Sequence, residues 1–334
     1  MKNARGPVWV IAEQIDCRIL DVSLQLIGQA RKLAKQLGSD IEVILLGNKI
    51  EHQAGQLFAA GAGIIYLGNN PELTFYQPEA YTEIIVTLAR KKQPDIMLMG
   101  STPMGKELAP LIAARLETGL TAHCIDLLIN DNNILEQKIP AYGGLISIIC
   151  PEKRPQMATI AKGVFPEPAM DNSRTGEIIP LDVPDNLPGR IKTLEVVQQE
   201  PEGVQLESAS IVVAGGAGAG DREGWNEISD LAKTLNAALG CTRPAVDEGW
   251  AELDTMIGQS GKMIAPELYI GVGLSGEQQH MVGSVGAEIM VAINNDPRAS
   301  VFEQVDYGII DDCREFIPVL IDTIKEYQGK KVSC

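Results

Sequence analysis

The chain has 334 residues, enough for roughly two domains, and its 45% hydrophobic residues supply apolar material for packed cores. Its 28 basic and 44 acidic side chains leave a net charge of −16, which repels phosphate backbones and anionic membrane surfaces. Aromatics at 4% leave few stacking platforms for single-stranded nucleic acid, and no stretch reaches the roughly 18 apolar residues of a membrane span, so neither partner is expected.

The first hundred residues alternate regularly. The apolar run Val8-Trp9-Val10-Ile11-Ala12 predicts a short strand. A helix follows with Leu26, Ile27, Ala30, Leu33, Ala34 and Leu37 on one face, and Gly38 stops it. Segments 41–47, 64–67 and 95–100 predict further strands with helices between them. Strand, helix, strand at this spacing means right-handed βαβ units on a parallel sheet. From residue 121 the rhythm changes. Segments 121–129, 134–142, 145–150 and 156–164 read as consecutive strands without helices, hence as antiparallel additions to that sheet.

The stretch 166–203 carries Pro166, Pro168, Pro180, Pro184, Pro188 and Pro201, which predicts an extended crossing between domains with one short strand at 194–198. A second α/β unit opens at Ser210-Ile211-Val212-Val213-Ala214. Behind it come a glycine-rich loop, a helix with Trp225, Ile228, Leu231, Ala232 and Leu235 inward, strands at 268–272 and 288–293, and a closing helix over 313–327. The fold class is therefore α/β with two Rossmann-like domains: the N-terminal one has a parallel sheet plus antiparallel additions, and the C-terminal one is a parallel-sheet domain. The boundaries fall at 1–190, a linker 191–206, and 207–330.

Charge divides unevenly between them. Residues 1–206 carry 19 basic and 24 acidic side chains, whereas 207–330 carry 8 and 20, a net of −12. An anion bound by the second domain must be held by backbone amides and a few well-placed cations. Cys17, Cys124, Cys150, Cys241, Cys313 and Cys334 form no C-x-x-C pair, and His52, His123 and His280 are scattered, so no metal site is expected. Six such cysteines suit reduced thiols in the cytoplasm, and the N-terminus runs into its first strand without a signal-peptide pattern.

The loop Gly215-Gly216-Ala217-Gly218-Ala219-Gly220 lies after a strand and before a helix, where a phosphate loop belongs. No register gives G-x-G-x-x-G, so a tight structural turn remains open as its reading. Three further loops are polar and small. Thr242-Arg243-Pro244 places one of the few cations in a loop between helix and strand. Ile257-Gly258-Gln259-Ser260-Gly261-Lys262 offers amide and hydroxyl donors. Gly273-Leu274-Ser275-Gly276-Glu277-Gln278-Gln279-His280 leaves a strand and opens a helix, whose positive end would face a ligand. There is no G-x-S-x-G elbow, no triad and no Walker loop.

The runs 241–250, 258–270, 273–280 and 291–297, with Asp306-Tyr307-Gly308, resemble in order and spacing the α subunit of electron-transfer flavoproteins. Gly105-Lys106-Glu107-Leu108-Ala109-Pro110 and Thr118-Gly119-Leu120-Thr121 resemble the same family more loosely. The resemblance implies a heterodimer with a β subunit, one FAD in the C-terminal domain, and electron transfer without substrate turnover. An acyl-CoA dehydrogenase-type flavoenzyme is the implied redox partner.

By position, the FAD contacts it implies are Thr242, Arg243, Ile257, Gly258, Gln259, Ser260, Ser275, Gly276, Glu277, Gln278, Gln279, His280, Asn294, Asp312 and Cys313. In that frame Arg243 stabilises negative charge on the reduced ring, Ser260 serves flavin N5 and His280 donates to the N1/O2 edge. Asn294 and Asp312 serve the adenosine end. Where many members carry arginine in the glycine loop, this chain has Ala217. The run 154–159 is similar to one in members that bifurcate electrons between NADH and ferredoxin or flavodoxin, although Ala161-Lys162 departs from their continuation. The alternatives are an independent FAD- or NAD(P)-dependent oxidoreductase and a non-redox nucleotide-binding module.

Overall fold

A computed structural model describes residues 6–141, 144–184, 187–189, 193–194, 196–197 and 204–332, with residues 330–332 described by backbone alone. The chain divides into two compact units, Met1–Gln198 and Gln199–Cys334.

In chain order the first unit contains β1 (Val8–Ala12), α1 (Asp21–Leu37), β2 (Ile41–Gly47), α2 (Ala54–Ala60), β3 (Ile64–Asn69), α3 (Pro78–Lys92), β4 (Ile96–Gly100) and α4 (Pro103–Leu116). It continues with β5 (Leu120–Cys124), β6 (Asp126–Ile129), β7 (Leu135–Ala141), β8 (Gly144–Ile149), β9 (Gln156–Ile160) and β10 (Glu177–Pro180). Seven strands make one wholly parallel sheet in the order β10-β3-β2-β1-β4-β9-β5. Side-chain alternation along β1 feeds two cores. Val8 and Val10 join Leu26, Ile27 and Leu57 from α1 and α2, while Trp9 and Ile11 join Ile85, Leu108 and Ile112 from α3 and α4.

Two expectations need correction. Segment 156–164 and the first half of segment 121–129 are not antiparallel strands, because β5 and β9 pair in parallel within the main sheet. The chain breaks after β5, with His123 at φ +60°, and β6, β7 and β8 form a separate antiparallel sheet in the order β8-β7-β6. That excursion supplies the long connection that parallel pairing of β5 with β9 requires. In the proline-rich stretch the strand is β10, parallel to β3 at the sheet edge, where Pro180 at its end interrupts no second ladder. Of the strand expected at 194–198, Leu194, Val196 and Val197 are not in a strand, and Glu195 and Gln198 lie outside the described residues.

The second unit contains β11 (Ile211–Gly215), α5 (Arg222–Leu235), β12 (Ala238–Cys241), α6 (Arg243–Asp247), β13 (Leu268–Val272), α7 (Gln278–Met281), β14 (Ile289–Asn294), β15 (Tyr307–Ile310) and α8 (Cys313–Val332). Its five strands are parallel in the order β12-β11-β13-β14-β15. The order reverses between β11 and β13, and a crevice at the carboxyl ends of the strands is where such sheets take ligands. Asp221 caps α5 by accepting from the amides of Glu223 and Gly224, and Asn236 closes it in the left-handed conformation. Trp225, Ile228 and Leu231 of α5 meet Ile317 of α8 in one core. Among the described residues no helix is long and apolar enough to cross a membrane.

Candidate functional site

A cleft of about 690 Å³ opens at the carboxyl ends of β11, β12, β13 and β14. Its walls are loops stitched together by their backbones. The Gly216 amide donates to Val272 O at 2.9 Å and the Gly218 amide to Gly273 O at 2.7 Å, so the glycine loop spends these amides on the loop after β13. The Thr242 amide donates to Gly215 O, and the Gln259 amide to Gln279 O at 2.7 Å. A scaffold this densely bonded is fixed before any ligand arrives.

Eleven of the fifteen expected residues line the cleft: Thr242, Arg243, Ile257, Gly258, Ser260, Ser275, Gly276, Glu277, Gln279, His280 and Asn294. Four do not. Gln259 and Gln278 sit beside lining residues without lining it themselves. Asp312 caps α8, accepting from the Arg314 amide at 2.9 Å, and lies outside the lining of the cleft. Cys313 is buried, its thiol donating to Gly218 O beneath the glycine loop, and burial raises its pKa.

The lining residues differ in what they can offer. Thr242 lines the cleft, is 8% exposed, and has a buried hydroxyl with no partner among the described residues. Ser260 is exposed on the cleft wall. Asn294, expected to reach the adenosine end, lines the cleft and also braces its loops. Its amide donates to Leu274 O at 2.8 Å and its carbonyl accepts from the Asp296 amide at 2.9 Å.

Arg243 is two-thirds exposed and its Nε lies 2.7 Å from Asp247 Oδ1, so its charge is partly compensated within α6. The reading missed Arg298, which lines the mouth and pairs only loosely with Asp296 at 3.8 Å. Its signal was its place just past the end of β14, at the same sheet edge as the chosen loops.

The helix expected to present a positive end is one turn, Gln278–Met281, too short for a substantial dipole. His280 within it is buried, with Nδ1 3.0 Å from Ile257 O and Nε2 2.7 Å from the Tyr269 hydroxyl. Both ring nitrogens are thus committed inside the chain, which corrects the expected donation to a flavin edge. Burial depresses its pKa to about 4 and keeps the ring neutral.

A second groove, of about 750 Å³, follows α1 past Arg31, Lys32, Lys35 and Arg174 in the first unit. It is the larger of the two, yet the cleft is the better site on chemistry, with a buried unpaired hydroxyl at a sheet switch point.

A family description, "Electron transfer flavoprotein domain", matches residues 8–186, and "Electron transfer flavoprotein FAD-binding domain" matches residues 205–285. The chain is 41% identical over 327 residues to the electron transfer flavoprotein subunit alpha of Thermoanaerobacterium thermosaccharolyticum, covering 97% of this chain and 99% of that one. It is 33% identical over 357 residues to the acryloyl-CoA reductase electron transfer subunit beta of Anaerotignum propionicum, covering 97% of each. It is also 33% identical over 333 residues to subunit LctC of the lactate dehydrogenase (NAD(+),ferredoxin) of Acetobacterium woodii, covering 99% of this chain and 79% of that one.

Proposed function

This chain belongs to the electron transfer flavoprotein family as an α subunit that binds FAD and carries electrons, and from that premise we propose that the cleft at the carboxyl ends of β11–β14 is its FAD site. The observation that carries the reading is the convergence of four loops on one crevice around the unpaired Thr242 hydroxyl.

FAD supplies the redox chemistry when bound, while the chain supplies position and charge. Thr242 donates a hydrogen bond from the floor, Ser260 offers a hydroxyl from the wall, and Arg243 and Arg298 bring positive charge to the mouth of a unit that is otherwise strongly acidic. The apolar walls of Met256, Ile257 and Leu274 exclude water.

A β subunit is the partner that the family implies. An acyl-CoA dehydrogenase-type flavoenzyme as the partner that exchanges electrons with it is our finer reading, supported by the name of the Anaerotignum relative. Bifurcation between NADH and ferredoxin or flavodoxin is a second reading, favoured by the run Arg154-Pro155-Gln156-Met157-Ala158-Thr159 and by the name of the Acetobacterium relative. We place the pair in the cytoplasm, which suits the free thiols of Cys17, Cys124, Cys150, Cys241 and Cys313. The domain limits 1–190, 191–206 and 207–330 remain our division of the chain.

Co-expression with the β subunit tests the reading. Flavin absorption bands in the purified complex, lost or weakened in Thr242→Val, support it. A colourless complex, or full FAD retention in Thr242→Val, counts against this cleft.

A further inference from the structure

We propose that Tyr269 is a positioning residue of the FAD cleft: its hydroxyl fixes the tautomer of His280, and His280 in turn seats the 257–260 loop. The proposal rests on the reading of that cleft as the FAD site. Tyr269 lies in the middle of β13 and is fully buried. A phenylalanine would fill the same volume, and a buried hydroxyl without a partner is costly, so the oxygen needs a use. Its neighbour is His280 Nε2 at 2.7 Å.

The proton positions follow from the partners. Ile257 presents a carbonyl oxygen 3.0 Å from His280 Nδ1, and a carbonyl only accepts. Nδ1 therefore carries the proton. A neutral imidazole has a single N–H, so Nε2 is an acceptor and the Tyr269 hydroxyl donates to it. Burial keeps the ring neutral. The charged side chains around the cleft, Arg243, Glu277, Asp296 and Arg298, are all exposed at its mouth, and Lys262 is paired with Glu207 at 3.1 Å.

These two bonds tie β13, α7 and the 257–260 loop into one unit. The loop is seated on α7 at two further points. The Gln259 amide donates to Gln279 O, and a Cβ at Gly258, whose φ is +140°, would come 2.4 Å from the same oxygen. Ile257, Gly258 and Ser260 line the cleft, so the Tyr269 proton sets where this wall stands. It also leaves the cleft with a histidine that has no N–H to offer a ligand.

The test uses the αβ complex with its FAD and with this chain labelled with 15N-histidine. His280 signals are assigned by their loss in His280→Asn. The expected result is one tautomer, protonated at Nδ1, that does not titrate between pH 5 and 8. Tyr269→Phe is expected to mix the tautomers and weaken FAD binding about tenfold. An Nε2–H tautomer or a titration in that range in the wild-type protein overturns the proposal. So does a folded Tyr269→Phe complex with wild-type FAD affinity. Should that variant not fold, the wild-type tautomer decides alone. A complex without flavin sinks the FAD reading, while the tautomer in that same complex still decides on the pairing of Tyr269 with His280.

Discussion

The amide of Gly218 reaches the carbonyl of Gly273 at 2.7 Å, and the two backbones lie so close that neither position has room for a side chain. Gly273 has φ +59°, and a Cβ there would sit 2.8 Å from the Gly218 backbone. This contact closes the switch point between β11 and β13, beneath the cleft. Gly273→Ala adds left-handed strain to a backbone clash, and is expected to destabilise the second unit by roughly 2 kcal/mol or more. Flavin fluorescence during heating of the αβ complex reads it out. Release at the wild-type temperature would mean that the two loops part without cost.

Arg243 is the cation that sequence reasoning places beside the flavin, yet in the structure it already holds Asp247 at 2.7 Å and is largely exposed. Water screens a charge this exposed, so its pull on a neighbouring group is worth about 0–1 kcal/mol. Arg243→Ala should therefore lower the FAD potential by no more than about 40 mV, from about 59 mV per tenfold change in a one-electron couple. The double change Arg243→Ala with Asp247→Asn should return close to the wild-type value, since it removes both charges. A redox titration in which the single variant falls by more than about 100 mV would show that the guanidinium leaves Asp247 for the cofactor.

Much of the fold is legible because the parallel strands are buried on both faces and read as plain apolar runs, as in Val8–Ala12 and Ile211–Gly215. The pairing of β5 with β9 is not legible, since it joins residues more than thirty positions apart across an intervening sheet. β10 hides among prolines, because an edge strand tolerates what a central one cannot. At the site, the four loops announce themselves by small and polar residues. What their side chains do depends on partners that the sequence does not display. Asn294 turns to Leu274 O and His280 to Tyr269 and Ile257 O, so two residues that look like plain ligand contacts also brace the loops. Arg298 escapes notice as one cation in an ordinary turn.

An outer strand of the antiparallel sheet, β8, pairs on one side only among the described residues and exposes Leu145 at 62% and Ile149 at 48%. Unpaired apolar edges invite a partner chain. The β subunit is the expected occupant in this family. Leu145→Asp should weaken the heterodimer at least tenfold, measured by calorimetric titration of one subunit with the other, and leave the circular dichroism of the chain itself unchanged. Unaltered affinity would move the interface elsewhere.

The buried neutral His280 makes the second unit sensitive to acid. Its folded pKa of about 4 lies below the ordinary 6.5, so the unfolded chain binds the proton more readily between these values. The contribution of the group is intact above pH 6.5 and is lost as pH falls toward 4. Between pH 7 and pH 5 the loss should be roughly 2 kcal/mol. Urea unfolding of wild-type protein and of His280→Asn across this range checks it, and equal slopes for the two would dismiss the histidine as the cause.

Glu13 gives the first unit the opposite dependence. It follows β1 at the carboxyl end of the sheet, is 2% exposed, and accepts from the Thr102 hydroxyl at 2.5 Å. Its other oxygen has no partner among the described residues. Burial raises its pKa to about 7, against the lowering pull of the Thr102 hydrogen bond, the Gly100 backbone and the charge of Lys162. The folded state therefore holds a proton that the unfolded chain releases above about 4.5. The stabilisation is complete below that value and is lost as pH rises through 7, by roughly 2–3 kcal/mol between pH 5 and pH 8. Glu13→Gln keeps an acceptor for Thr102 and cannot ionise, so it should be the more stable protein at pH 8 and show no such slope. Hydrogen exchange at the amides of β1 and β4, corrected for the intrinsic pH dependence of exchange, reports the local stability. Should the glutamine variant keep the wild-type slope, the proton on Glu13 is not what the first unit responds to.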